Sequence, residues 1–356
     1  MDAFTTPPGR TVTSTVPALR VPALNMMFAL ALPLLACGLV VPSVQAKADV
    51  HQSSQILMGT RVDLTLQGND SAALAAAATA AFTEMNRLAD MMSRYRVTSA
   101  LNAINLMAGL QPVPVPPELL RVLLMARQVG QASGGAFDAT VGSLRDWDFS
   151  PEHPSIPSKQ QIAAQLRLVD QKAGLVINEH AGTAYLTQRG MQLDLGGIAK
   201  LPILQAGLRQ LQSRGVTNAM INGGGDVLVM GRLNGRPWRV GLRDPRQPSQ
   251  LLGVVSLTQG FVAASGDYER FMMHDGKRLH HILDPKTGYP TTGPHGVTLI
   301  SEQLELINGL GAALMVAGAD AGRTRVGRTP GIDALIVDAD SSLWLSPGMA
   351  QRLKRS

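Results

Sequence analysis

Four polar or glycine-rich clusters interrupt an otherwise apolar chain: Gly134–Gly142 (GGAFDATVG), Asp194–Lys200 (DLGGIAK), Asn222–Asp226 (NGGGD) and His280–Pro290 (HHILDPKTGYP). They carry carboxylates, lysines, hydroxyls and two adjacent histidines, the groups that bind an anion and move a proton. Glycines at the ends of strands and helices let backbone N–H groups approach a phosphate, and a following helix N-terminus adds partial positive charge. Each cluster taken singly is also what a tight turn or bulge requires. No Gly-Lys-[Ser/Thr] occurs, so there is no Walker A loop, and no Gly-x-Gly-x-x-Gly joins a strand to a helix, which argues against a Rossmann unit.

The elements between the clusters read as an α+β chain. Alternation predicts a strand over Gln55–Leu66, followed by an alanine-rich helix over Ser71–Tyr95. Pro116-Pro117 opens a second helix that ends at Gly134-Gly135, and Ser158 caps a third running to Leu168. Short strands are expected at Leu175–Asn178, Ala184–Thr187 and Gln192–Leu195, the last leading into a helix over Ile198–Ser213. Further strands are expected at Val216–Ile221, Trp238–Leu242, Leu251–Leu257, Phe261–Ala264 and Val297–Ile300, then one continuous helix over Leu304–Ala317. The tail reads as a helix over Ala319–Val326, strands at Ala334–Val337 and Ser342–Leu345, and a last turn after Pro347. No repeat or low-complexity linker divides residues 50–356, which are expected to form one domain.

In their order and spacing these motifs resemble the ApbE family, the FAD:protein FMN transferases formerly described as thiamine-biosynthesis lipoproteins. The resemblance runs from about residue 54 to the C-terminus. It rests on Met58-Gly59-Thr60, on Ser93-Arg94-Tyr95 with Ser99 and Asn102, and on Gly135-Ala136-Phe137-Asp138 with Thr140-Val141-Gly142. It continues through Asp194–Lys200, Asn222–Asp226, Ser265-Gly266-Asp267-Tyr268 and His281–Gly288. It implies a T-fold-related α+β domain of mixed sheets and flanking helices. It also implies an enzyme that takes FAD, uses a divalent metal such as Mg²⁺, and moves FMN onto a threonine or serine hydroxyl of a redox protein with release of AMP. By similarity Met58, Tyr95, Ala136, Phe137, Asp138, Asp194, Lys200 and Thr291 would hold the FAD. His281 is the expected catalytic residue, since an imidazole accepts a hydroxyl proton near neutral pH. The other reading of His280 and His281 is polar residues at a strand end, and of Met58 and Tyr95 ordinary core packing. No Asp-Gly-x-[Ser/Thr]-Gly-Ala-[Ser/Thr] acceptor motif occurs in the chain, so the acceptor is expected to be a separate protein.

The chain departs from the family in two places. The family's metal positions fall on Gly197, Asn308, Gly311 and Ala312; the last three lack the usual ligand side chains, with asparagine for an aspartate and alanine for a threonine. A hard cation is ordinarily held by one or two carboxylates with phosphate and water, so this loss weakens it. Glu305, one helical turn earlier on the same face, could substitute for the lost ligand; its other reading is an exposed helix-start carboxylate favoured by the helix dipole. The second departure is Leu201-Pro202-Ile203, where the family usually continues Gly-Tyr-Ala after Lys200. The residues therefore leave open a catalytically impaired, flavin-binding or maturation protein, and, more remotely, an FAD pyrophosphatase.

Composition narrows the remaining classes. The 356 residues carry 32 Lys and Arg against 26 Asp and Glu, without a basic run, and only 4% aromatics, which speaks against a nucleic-acid platform. Residues 1–46 read as a targeting segment: Val21–Ala46 is uncharged, centred on MMFALALPLL behind Arg10 and Arg20, and broken by Pro22, Pro33 and Pro42. Two processing sites compete, a lipobox-like Leu34-Leu35-Ala36-Cys37 and a small-residue site ending at Ala46. The expectation is an exported protein in the bacterial periplasm or on the periplasmic face of the inner membrane. Its acceptor would then be an exported or membrane redox protein, with Cys37 as a possible lipid anchor. Cys37 is the sole cysteine, so the domain is stabilised by packing without internal disulfides.

Overall fold

The computed structural model describes residues 48–355. The chain begins with the hairpin β1 (Asp49–Leu57) and β2 (Thr60–Gly68), followed by α1 (Ser71–Met91), α2 (Ala100–Leu106), β3 (Val113–Pro114), α3 (Pro117–Ala132), α4 (Lys159–Leu166) and α5 (Gln171–Gly174). Next come β4 (Leu175–Asn178), β5 (Thr183–Leu186), α6 (Lys200–Ser213), β6 (Asn218–Gly223), β7 (Asp226–Met230), β8 (Trp238–Asp244), β9 (Gln247–Leu257) and β10 (Gln259–Gly266). The remainder is β11 (Phe271–His274), β12 (Lys277–His280), β13 (Gly296–Ser301), α7 (Leu304–Ile307), α8 (Leu310–Ala317), α9 (Ala319–Gly327), β14 (Asp333–Val337), β15 (Leu343–Leu345) and α10 (Pro347–Arg352).

The organising element is an eight-stranded antiparallel sheet in the order β1-β2-β6-β7-β10-β13-β14-β15. Both of its faces are covered, and side-chain alternation assigns each residue to one of them. Leu228, Ala263, Leu299, Ala334 and Ile336 belong to the larger core, built with α1, α3, α6 and α8. Val227, Val229, Val262, Ile300, Leu335 and Val337 belong to a second core closed by the β8–β9 hairpin and by Met349 and Leu353 of the C-terminal segment. A third, small cluster of Leu144, Trp147 and Ile162 packs α4 against Leu279 and Leu283 beside the HILDPKTG motif.

Several sequence expectations need correction. The single strand expected over Gln55–Leu66 is two strands joined by a two-residue turn, because Met58 and Gly59 both take positive φ (52° and 72°). The first helix stops at Met91, and Ser93-Arg94-Tyr95 lies in the following loop; its N-cap is Asp70, whose side chain accepts from Ala73 N. Gln192–Leu195 makes only a one-residue bridge to Val141. The helix expected over Leu304–Ala317 is broken: Asn308 is extended (ψ 122°) and Gly309 is left-handed (φ 73°), so α7 and α8 are separate. Alternation could not reveal β7, whose five residues are all buried. Residues 1–46, with Cys37 and both processing sites, lie outside the described residues.

Candidate functional site

The clusters converge on the sheet end where β2, β6 and β7 turn. NGGGD is the turn between β6 and β7, with Gly224 and Gly225 at φ 66° and 96°. A Cβ on Gly224 would lie 2.5 Å from Thr60 Oγ1, so glycine is what lets this turn lie against the Met58-Gly59-Thr60 turn. Asp226 begins β7: its Oδ1 accepts from Ala264 N at 3.0 Å, and its Oδ2 lies 3.2 Å from Lys200 Nζ at the first residue of α6. The backbone of β10 thus fixes the carboxylate that fixes the lysine.

DLGGIAK lies against the GGAFDATVG loop. Asp194 N donates to Ala139 O at 2.8 Å; its Oδ1 accepts from Gly196 N at 2.7 Å, and its Oδ2 pairs with Arg94 at 3.2 Å. The Arg94 guanidinium lies 5.0 Å from the centroid of the Tyr95 ring, which is 73% exposed. Tyr95 is therefore a surface ring held beside a cation rather than a core residue. Ala136 and Phe137 are buried. Asp138 has no free oxygen: Oδ1 takes Thr140 N at 2.7 Å and the Thr140 hydroxyl, and Oδ2 takes Gln171 N at 2.9 Å. Burial pushes its pKa up, against the hydrogen bonds that lower it. Its immediate work is to fold the loop.

The histidines stand on the far side. His280 is buried, its Nε2 2.8 Å from Thr291 O, and loss of hydration lowers its pKa. The Thr291 hydroxyl donates to Met315 O at 3.0 Å, so it ties the loop to α8. His281 is half-buried, with Nδ1 3.2 Å from Arg270 O. A carbonyl only accepts, so Nδ1 carries the proton and Nε2 keeps its lone pair. Loss of hydration, and then the Arg270 charge, push the His281 pKa down to about 3, with His280 and Lys200 adding to the effect. The ring is neutral above that pH. The motif after it is an Asx-type turn: Asp284 Oδ1 accepts from Lys286 N (2.9 Å), and its Oδ2 accepts from the Thr287 hydroxyl (3.1 Å). Trp147 Nε1 donates to Gly288 O at 2.9 Å. DPKTG is thus the scaffold that aims His281.

The metal positions do not assemble a ligand set. A Cβ built on Gly197 would lie 3.2 Å from Phe137 Cε2 and 3.5 Å from the Ala312 methyl, so Gly197 and Ala312 adjoin each other through hydrocarbon. Gly311 faces Ser265, where a Cβ would come 2.6 Å from Oγ. Asn308 is 3% exposed and its Nδ2 points to Met125 Sδ at 3.6 Å. The break before α8 leaves it lining a cavity of about 320 Å³ together with Met125, Glu305, Leu310 and Ala313, and without Ala312. Glu305 and Asn308 do lie together on this cavity, but the break separates both from Ala312. Among the described residues no three His, Cys, Asp or Glu side chains gather as a metal site. The side chains at these four positions are an amide whose Nδ2 points to Met125, a methyl group and two glycines, a set without the carboxylate that ordinarily holds the cation, and they do not fit Mg²⁺.

The sequence reading missed one cluster. Asp267, 6% exposed, pairs with Arg278 (2.7 Å) and with His295 Nδ1 (2.8 Å), while Arg278 stacks on Phe271 at 4.7 Å. This joins the β11–β12 hairpin, which leads into His281, to the start of β13. Asp267 stood in a recognised motif, but its partners lie 11 and 28 positions away, with no local signal.

A sequence model described as the ApbE family matches residues 58–336. The chain is 30% identical over 336 residues to the FAD:protein FMN transferase of Treponema pallidum, covering 89% of this chain and 92% of that one. It is 32% identical over 311 residues to that of Klebsiella pneumoniae, covering 86% and 94%. Among solved structures, the crystal structure of the ApbE protein from Thermotoga maritima superposes with a TM-score of 0.79 at 31% identity, covering 86% of this chain and all of that one. The flavin transferase ApbE from Vibrio cholerae superposes with a TM-score of 0.75 at 27% identity, with the same coverage.

Proposed function

This chain belongs to the ApbE family, and on that footing we propose that it is an FAD:protein FMN transferase. The observation in the site that carries the reading is His281, held by Arg270 O in the tautomer that leaves Nε2 free to accept a proton. The acceptor hydroxyl oxygen bonds to the FMN phosphorus, and its proton passes to Nε2. The bond from that phosphorus to the bridging oxygen breaks, and the oxygen leaves with AMP. A base of low pKa accepts a proton poorly. The dianionic diphosphate raises it again by arriving beside the imidazole and offsetting the Arg270 and Lys200 charges, which add to loss of hydration in holding the pKa down.

Met58 supports a flavin contact through the rule it breaks. A two-residue turn with both φ positive favours Asn-Gly, and here the first position is methionine. Side chains that oppose local preference collect at functional sites. Met58→Asn is expected to leave the melting temperature unchanged or higher while weakening FAD binding in a fluorescence titration. A lower melting temperature with unchanged FAD affinity would assign Met58 to packing alone.

The remaining features of the reading concern place and partner. The leader-like residues 1–46 support an exported enzyme whose acceptor is an exported or membrane redox protein, with Cys37 available for lipid attachment. The test of the whole is to incubate the protein with FAD and an acceptor domain carrying Asp-Gly-x-[Ser/Thr]-Gly-Ala-[Ser/Thr]. Fluorescent, covalently flavinylated acceptor and one AMP per transfer are expected. FAD binding without either product would instead make the chain a flavin-binding maturation protein.

A further inference from the structure

We propose that this chain holds FAD without a divalent cation, the diphosphate charge being met by Lys200 and Arg270 instead. The proposal rests on the transferase reading and concerns how that same site handles charge. Three observations carry it. First, the carboxylate and hydroxyl ligand side chains are gone: Ala312 presents a methyl toward Gly197, Phe137 closes on Gly197 as well, and the one oxygen noted beside these positions is the Ser265 hydroxyl at Gly311. A hydrated Mg²⁺ needs an octahedral set of oxygens about 2.0–2.1 Å away and sheds water reluctantly. Second, the break at Asn308-Gly309 withdraws the one remaining polar side chain. On a continuous helix positions 308 and 312 would share a face; here the Asn308 amide turns to Met125 and the cavity beyond it.

Third, two cations stand near the site, Lys200 in the DLGGIAK segment and Arg270 beside His281. Lys200 opens α6, where its ammonium adds to the partial positive charge of the helix N-terminus. Its position is set by Asp226, itself fixed by the Ala264 N–H. Arg270 precedes the β11–β12 hairpin, and its carbonyl accepts from His281 N at 3.1 Å. Lys200 is thus held by Asp226, and Arg270 adjoins His281 through the carbonyl that meets both its N–H and its Nδ1. A lysine preorganised at developing phosphate charge, with an arginine that closes on the bound diphosphate, acts in the same electrostatic manner as a metal clamp.

The test is FAD titration of the metal-stripped protein in EDTA and in excess MgCl₂, followed by flavin fluorescence, with Mn²⁺ binding to the protein alone followed by electron paramagnetic resonance. Equal FAD affinity within about threefold, and an undiminished free-Mn²⁺ signal, are expected; a larger gain with Mg²⁺, or uptake of Mn²⁺, overturns the proposal. In EDTA, Lys200→Gln and Arg270→Gln are each expected to weaken FAD binding about tenfold, which corresponds to about 1.4 kcal/mol. FAD affinity unchanged in both variants overturns the assignment of the cations. Absence of FAD binding in either buffer would defeat the transferase reading and this one with it, whereas Mg²⁺-dependent binding defeats only this one.

Discussion

His281→Asn is expected to lower the rate of FMN transfer by ~10²–10⁴, the range lost when a positioned general base is removed. FAD affinity is expected to change little, because the asparagine amide can still donate to Arg270 O where Nδ1 does now. A single-turnover assay of acceptor flavinylation beside an FAD titration separates the two effects. Equal loss of rate and of affinity would mean that His281 only binds. The pH profile supplies a second check. With a folded pKa of about 3 the free enzyme's imidazole is already neutral at pH 5, so kcat/KM should not fall between pH 8 and pH 5 as an ordinary histidine would require. Stability carries the same signature in reverse. Between the unfolded value near 6.5 and the folded value near 3, the unfolded chain binds the proton that the folded ring refuses. Stability therefore declines as pH falls through that window, and His281→Asn should flatten part of the decline, read from melting temperatures at pH 7 and pH 5.

Gly142→Ala is the second large effect. A Cβ there would lie 2.7 Å from Gln192 O, 2.7 Å from Leu193 C and 2.9 Å from Asp194 N. These are backbone atoms, so no side-chain rotation relieves the contact, and the segment that carries Asp194 must move. Overpacking of this kind costs about 1–3 kcal/mol. It should appear as a lower urea midpoint at unchanged slope. Because Asp194 holds Arg94 at 3.2 Å, FAD affinity should fall as well. Gly134→Ala is the control for activity: its Cβ meets nothing within 4 Å, although its φ of 62° makes the substitution mildly strained. Loss of FAD affinity in that variant and not in Gly142→Ala would invert the argument.

Most helices were legible because their ends carry chemical marks. Ser158 forms a full capping box with Gln161, and Pro117 stands at the start of α3 as its fixed φ favours. Strands of the central sheet were legible where they alternate, as in β6, and β7, which is covered on both faces, was not. Turns caused two further misses. Met58 in a left-handed conformation hid a hairpin inside what reads as one strand, and Gly309 hid a break inside what reads as one helix. The second had a functional cost: it put Asn308 on one unbroken helix with Gly311 and Ala312. The motifs were recognisable as a set, but most of the motif residues turned out to brace one another. Asp138 folds a loop, Asp284 a turn, and Thr291 a loop onto α8. Sequence identifies such residues without telling which hold the ligand and which hold the holders.

Trp147 gives the molecule an intrinsic optical reporter. Its indole N–H is bonded to Gly288 O, its ring stacks on Phe149 with centroids 5.6 Å apart, and Tyr289 meets it edge-on at 6.1 Å. The emission of this one indole therefore responds to the loop that begins at His281. Trp238, bonded to Met230 O in the core across the sheet, supplies a constant background. With Trp238 and Trp344 replaced by phenylalanine, the remaining fluorescence would read the order of the loop that begins at His281 in real time, without a label.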